Sequence, residues 1–146
     1  MTQEEYQKGK EMLLMATFLQ FTLPGIACIY YGDEAGMEGH KDPFNRRTYP
    51  WGKENQILLR HFRCLACLRQ EESALRLGDI QFFDAADGRL GFTRSHNGRR
   101  IHVCVNMSHE MWLLPGRKIL LEEGLQTRSR EQLMLKPMGW CVLEDE

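Results

Sequence analysis

Hydrophobic and polar positions follow one rhythm up to about residue 77 and another beyond it. The chain opens with Thr2 and, three residues later, Glu5, a pairing in which hydroxyl and carboxylate cap each other's backbone N–H groups at a helix start. A helix is predicted from there to about Phe21, ahead of the breaker Leu23-Pro24-Gly25. Ile26-Ala27-Cys28-Ile29-Tyr30-Tyr31 is a continuous apolar run with β-branched and aromatic residues, and it reads as a strand buried on both faces. Gly32-Asp33-Glu34 sets polar groups at its carboxyl end, and adjacent residues on a strand point to opposite faces. Residues 35–53 hold Gly36, Gly39, Pro43, Pro50 and Gly52 without periodicity, and read as loop. A second helix is predicted from about Glu54 to Glu72. Leu58, His61, Phe62, Leu65 and Leu68 share one stripe of it, with Arg60, Arg63, Arg69 and Gln70 mainly off the stripe. His61 is expected there as a satisfied, partly buried group rather than a ligand.

From Gly78 the runs shorten and the period changes. β-type runs occur at 79–83, 89–94, 100–106, 110–114, 118–121, 132–135 and 140–143. Asp87-Gly88 and Asn97-Gly98 are strong hairpin signals, and Pro115-Gly116 marks another turn. Seven short strands with turns between them predict a small antiparallel β-sandwich, with a boundary near Leu77–Gly78. Trp112 and Trp140 fall on these strands and are expected to pack, whereas Trp51 falls in the loop and is expected to be exposed.

Composition narrows the function classes. With 146 residues, 42% hydrophobic and 27% charged, the chain is a globular domain or two small lobes. Its formal net charge of -1 offers no basic excess for phosphates, so nucleic acid is not expected as a partner. Residues 12–32 carry no charge, but Thr17, Gln20, Thr22 and the Leu23-Pro24-Gly25 break argue against a membrane helix. Polar residues near the start leave no secretion signal, and the five cysteines are an odd number, so reduced thiols in a cytoplasm are expected. Cys64-x-x-Cys67 sits mid-helix without a second pair, and a buried or half-buried structural role is expected for it. No serine lies in a Gly-x-Ser-x-Gly setting and no Gly-rich phosphate loop occurs. No metal or cofactor is expected.

The run Leu23-Pro-Gly-Ile-Ala-Cys-Ile-Tyr-Tyr-Gly-Asp-Glu34, followed by Asp42-Pro-Phe-Asn-Arg-Arg47, resembles the eighth barrel strand of the alpha-amylase family of glycoside hydrolases and the loop that leaves it. Leu65-Ala66-Cys67-Leu68-Arg69, Ser73-Ala74-Leu75-Arg76-Leu77-Gly78-Asp79 and Leu135-Lys136-Pro137-Met138-Gly139-Trp140-Cys141-Val142-Leu143 extend the resemblance over nearly the whole chain. It is most similar to the cyclomaltodextrinase, neopullulanase and maltogenic amylase group. The resemblance implies an α+β chain: the last strand and flanking helices of a (β/α)8 barrel over 1–77, then a carboxyl-terminal antiparallel β domain over 78–146. A complete barrel needs about 250 residues, so none closes here.

That family cleaves with an aspartate nucleophile, a glutamate acid/base and an aspartate in an Asn-His-Asp motif. None of these segments has a match: His40 precedes Lys41-Asp42, and His96 precedes Asn97. The chain by itself is therefore expected to be inactive, with the acids upstream. What carries over is substrate contact: the resemblance implies that Asp42 and Arg46 bind a glucose unit of an α-glucan or maltodextrin in the parent enzyme. The alternative for this pair is that each braces the other. Alternative functions are a standalone carbohydrate-binding or interaction module, or one subunit of a split amylase. A both-faces-buried strand without neighbours must hide its edges, so self-association through residues 12–34 is also expected.

Overall fold

A computed structural model describes residues 2–39, 41–43, 45–129 and 131–145. The chain divides into two units. One holds the residues up to Phe21 together with Ile26–Glu71; the other holds Thr22–Gly25 and the chain from Glu72 onward.

The first unit is built on α1 (Gln3–Thr22) and α2 (Gln56–Glu71). The capping box forms as expected: Glu5 Oε2 accepts from the Thr2 N–H at 2.7 Å, and Thr2 Oγ1 accepts from the Glu5 N–H at 3.2 Å. Met15, Phe18 and Phe21 of α1 are buried. The Phe21 ring meets Phe62 of α2 edge-on at 6.3 Å, and Arg69 donates to the Phe21 carbonyl, one of those a helix end leaves without an intrahelical donor. Leu58, Phe62, Leu65 and Leu68 form the buried stripe of α2. His61 lies beside them with Nε2 3.0 Å from Thr17 Oγ1, the satisfied and partly buried histidine the stripe predicts.

Two expectations for this unit are corrected. Residues 26–31 form no strand. Ile26 is 95% exposed, and Ile29, Tyr30 and Tyr31 are exposed as well. A strand exists only through a ladder partner, and this segment pairs with none of the described strands. Residues 31–36 instead make successive turns, with Asp33, Ala35 and Gly36 N–H groups donating to the Tyr30, Gly32 and Asp33 carbonyls. Cys64 and Cys67 are both exposed, because the α2 stripe places them on its outer side.

The second unit starts with α3 (Ser73–Leu77), which lies against β2 (Arg89–His96) and β3 (Arg99–Asn106). The other strands are β1 (Asp79–Asp84), β4 (Trp112–Pro115), β5 (Lys118–Ser129) and β6 (Gln132–Glu144). All are antiparallel. The order is β1-β2-β3-β6-β4, with β5 also paired to β6. Asn97 and Gly98, at φ 49° and 81°, join β2 to β3 in a two-residue turn, with His96 opposite Arg99. Asp87 and Gly88, also at positive φ (51° and 76°), turn the chain within the longer connection 85–88 between β1 and β2.

Among the described residues, the seven expected runs become six strands hydrogen-bonded into one sheet rather than two. The last two runs fuse into β6, and the fifth extends to Ser129. The β5–β6 hairpin bends midway, at Gly124 (φ 76°) and at Met138-Gly139, where pairing jumps from Leu125↔Leu135 to Glu123↔Trp140. A Cβ added at Gly124 would lie 3.4 Å from the Gly139 Cα, so the two bends coincide. The first half of β6 thereby pairs with β4, and the second with β3. Inward residues from all three strands meet in one cluster: Cys104, Trp112, Leu114, Leu133, Leu135, Cys141 and Leu143. Trp112 and Trp140 are both buried, and Trp51 is 82% exposed, as the sequence predicts.

The end of β6 is held by ion pairs. Arg99 bridges Glu72 and Glu144, and Lys118 reaches Glu144 at 3.0 Å. Asp145 takes Arg117 at 2.7 Å and buried His102 Nε2 at 2.8 Å, while His102 Nδ1 lies 3.0 Å from Thr93 Oγ1. Burial and the nearby Arg117 charge push the His102 pKa down, against the pull of Asp145. Burial pushes the Asp145 carboxyl up, but hydrogen bonds from Arg117 and His102 more than offset this and hold it below its ordinary value. Both shifts have the same consequence. A histidine with a lowered folded pKa contributes fully above its unfolded value and loses that contribution as pH falls through the folded value; the aspartate does the same in more acidic solution. We expect the melting temperature of the β unit to be flat from about pH 8 to 7 and to fall below about pH 6.5, with a shallower slope for His102→Gln. A melting temperature constant from about pH 7.5 to 5 would refute this.

Candidate functional site

The sequence motifs that carry chemistry converge on the loop between the turns at 31–36 and the start of α2. Its base is pinned by Asn55, whose N–H donates to the Ala35 carbonyl at 2.9 Å. Its Oδ1 accepts from the Ile57 and Leu58 N–H groups at 3.1 and 3.3 Å, capping α2. Gly36, at φ 73°, lies so close that an added Cβ would be 3.0 Å from both Asn55 and Leu58. Further along, Tyr31 donates its hydroxyl to the Arg47 carbonyl at 3.0 Å, which ties the far side of the loop to the turns.

Asp42 and Arg46 stand within this frame. The Asp42 Oδ1 and Arg46 Nε atoms are 2.9 Å apart, and the side chains are 61% and 72% exposed. The Arg46 N–H donates to the Pro43 carbonyl at 3.1 Å, so a local turn brings the pair together. An exposed ion pair of this kind contributes about 0–1 kcal/mol. It holds its groups lightly, leaving a carboxylate acceptor and a forked guanidinium donor open to vicinal hydroxyls. His40 and Phe44 of the surrounding segment lie outside the described residues.

Asp33 and Glu34 are not set on opposite faces of a strand, because the strand does not form; they sit in the turns at 31–36. Glu34 is committed to the scaffold: its Oε2 accepts from the Gly32 N–H at 2.9 Å, and its charge lies near the Tyr49 hydroxyl. Burial, then the charges of Glu34 and Glu54, push the Tyr49 hydroxyl pKa up. Burial, then the Glu34 charge, raises that of Asp33. A retaining glycosidase needs one carboxylate free to attack and a second free to protonate, about 5–5.5 Å apart. Glu34 does not fit either part. Among the described residues no group of three or more His, Cys, Asp or Glu could hold a metal ion, and no helix is long and apolar enough to cross a membrane.

The loop also carries an aromatic pair: the Tyr49 and Trp51 ring centres are 4.6 Å apart. Asn55 was not singled out from the sequence, where the helix was expected to begin at about Glu54; an asparagine just ahead of Gln56-Ile57-Leu58 is the N-cap signal that could have found it. The Glu34–Tyr49 approach had no sequence signal, since fifteen positions of irregular chain separate the two. A recess bounded by Tyr6, Leu13, Met37 and Leu58 lies in the same unit and includes neither Asp42 nor Arg46.

No family model matches the chain. Individual relatives do. An amylopullulanase from Thermoanaerobacterium saccharolyticum is 46% identical over 112 residues, 69% of this chain and 9% of that protein. A cyclomaltodextrinase from Thermoanaerobacter pseudethanolicus is 31% identical over 137 residues, 89% of this chain and 24% of that protein. Among solved structures, the acarbose-soaked debranching enzyme of Nostoc punctiforme superposes with a TM-score of 0.78 at 27% identity, over 92% of this chain and 29% of that one. The relatives and the strand-rich domain place the chain among the glycoside hydrolases. More narrowly, the chain belongs to the alpha-amylase family, in keeping with a carboxyl-terminal portion of such an enzyme. It spans less than a quarter of the length of these two curated relatives.

Proposed function

We propose that the chain is the carboxyl-terminal portion of an alpha-amylase-family hydrolase acting on α-1,4-glucans or maltodextrins. In the complete enzyme, where neighbouring strands would supply the ladder partners that the isolated chain lacks, residues 26–31 become the last barrel strand, and the catalytic acids are carried by other parts of the enzyme. Asp42 and Arg46 hold a glucose unit beside the bond that is cut. The observation that carries this reading is the exposed, lightly held Asp42–Arg46 pair on a loop pinned by Asn55 and Tyr31. The names of the relatives, cyclomaltodextrinase and amylopullulanase, support the substrate class. In the isolated chain, Ile26, Ile29, Tyr30 and Tyr31 present apolar surface on a segment that joins no sheet, so copies associate through residues 12–34. The same exposed segment favours a second reading, in which a separate polypeptide supplies the other barrel strands.

The test measures reducing sugar released from maltotriose and β-cyclodextrin. The purified chain is expected to release none. In the complete enzyme, Asp42→Ala is expected to lower kcat/KM by about tenfold to a hundredfold, the worth of a lost charge-assisted hydrogen bond. Turnover by the chain alone, abolished by Asp42→Ala, would overturn the proposal. Sedimentation of the same sample addresses association: a monomer at every concentration would reject that part.

A further inference from the structure

The second unit holds two cysteines that the proposed function does not use. Cys104 on β3 and Cys141 on β6 are direct partners in the antiparallel register. Both are free thiols, 1% and 0% exposed, within one apolar cluster. Directly opposed residues of an antiparallel pair share a face, with Cα atoms about 4.5–5.5 Å apart. That separation falls inside the range of about 4.4–6.8 Å that a disulfide spans. Both side chains belong to the same buried cluster, so the register sets the two thiols on one inward face. Cys28, Cys64 and Cys67, by contrast, are exposed.

We propose that Cys104 and Cys141 are an oxidation site at which a hydroperoxide closes a cross-strand disulfide that locks β6 onto β3. The reaction balances with the oxidant as the only co-reactant. One thiolate attacks the peroxide O–O bond, giving a sulfenic acid and, after protonation of the leaving oxygen, water or an alcohol. The second thiol then displaces the sulfenic hydroxyl, forming the S–S bond and releasing water. Two thiols lose two electrons and two protons; the peroxide takes up both.

The setting determines when this happens. β3 lies between β2 and β6, so neither sulfur is at a sheet edge. The Cys104 thiol opposite it and burial push the Cys141 thiol pKa up, which leaves little thiolate in the closed fold. Oxidation therefore proceeds through transient opening of the β6 end and is slower than at the exposed cysteines. Once formed, the bond links strands 37 positions apart in sequence (141 − 104) and restricts the unfolded chain.

The test uses the full chain with Cys28→Ser, Cys64→Ser and Cys67→Ser, all exposed positions, so that only the buried pair remains. It is treated with hydrogen peroxide, and peptides are mapped by mass. The expected result is Cys104 joined to Cys141 within one chain, with the mass of two hydrogens lost. The melting temperature should rise by about 10 °C, reversed by dithiothreitol. A further Cys141→Val variant should show neither change. Recovery of both cysteines as thiols after peroxide treatment through an unfolding–refolding cycle would overturn the proposal. So would separate sulfinic acids, links only between chains, or a link that leaves the melting temperature unchanged or lower.

Discussion

Replacing Arg94 by methionine is expected to destabilise the β unit by about 3 kcal/mol. Arg94 is 1% exposed, the largest of the fully buried side chains. It donates to the Thr22 carbonyl at 2.6 Å and to the Gly78 carbonyl at 2.9 Å. Gly78 cannot easily move to compensate: a Cβ there would lie 2.4 Å from the Ala74 oxygen and 2.7 Å from the Ser95 oxygen, so the junction of α3 and β1 is already in close contact with β2. Methionine fills similar space but donates nothing. Each buried carbonyl that loses its donor costs about 1–3 kcal/mol, partly offset because a desolvated guanidinium is no longer buried. Arg94→Lys keeps the charge, but one ammonium cannot reproduce the fork that spans both carbonyls, so an intermediate loss is expected. Urea melts of the three proteins measure this. A methionine variant within about 0.5 kcal/mol of the parent would show that the two hydrogen bonds contribute little.

Leu135→Ala is expected to cost about 2–5 kcal/mol. Leu135 is 0% exposed and lies at the close of the first half of β6, opposite both Trp112 and Leu125. It packs in the cluster formed by Trp112, Leu114 and Cys141, where the bent hairpin brings both halves of β6 together. Truncation leaves a cavity that the neighbours cannot easily fill, because the bend at Gly139 is itself crowded: a Cβ there would be 2.8 Å from the Lys136 oxygen and 2.9 Å from the Glu123 oxygen. Leu135→Met, which conserves volume, should cost less than about 1.5 kcal/mol. Equal losses for alanine and methionine would mean that the site responds to backbone strain rather than to a cavity. Thermal melts at neutral pH distinguish these outcomes.

The candidate site was legible in part. Asp42 and Arg46 were named from the Asp-Pro-Phe-Asn-Arg motif, and the structure brings them within 2.9 Å of each other. They were named through the family resemblance, and the ion pair between them is the mutual bracing that the sequence left open as the alternative. Asn55 was missed, because the helix start was set too early, at about Glu54. The approach of Glu34 to Tyr49 was not legible either, because proximity across irregular loop depends on where each stretch of loop runs.

The sequence by itself determined the features that depend on near neighbours: the Thr2–Glu5 cap, the α2 stripe, the turn at Asn97-Gly98, the satisfied His61, and the sorting of Trp112 and Trp140 inward with Trp51 outward. It also carried the kinship to the alpha-amylase family. The tertiary structure decided the rest. It left Ile26–Tyr31 without a ladder, although that run has the composition of a buried strand, because strand formation requires a partner elsewhere. It turned Cys64 and Cys67 outward and set Cys104 against Cys141, since strand register rather than sequence spacing selects which thiols meet. It buried Arg94, whose charge alone predicts exposure, because two remote carbonyls converge on it. Local signals report backbone preference within a few residues. Burial and pairing are set by whatever the rest of the chain brings alongside.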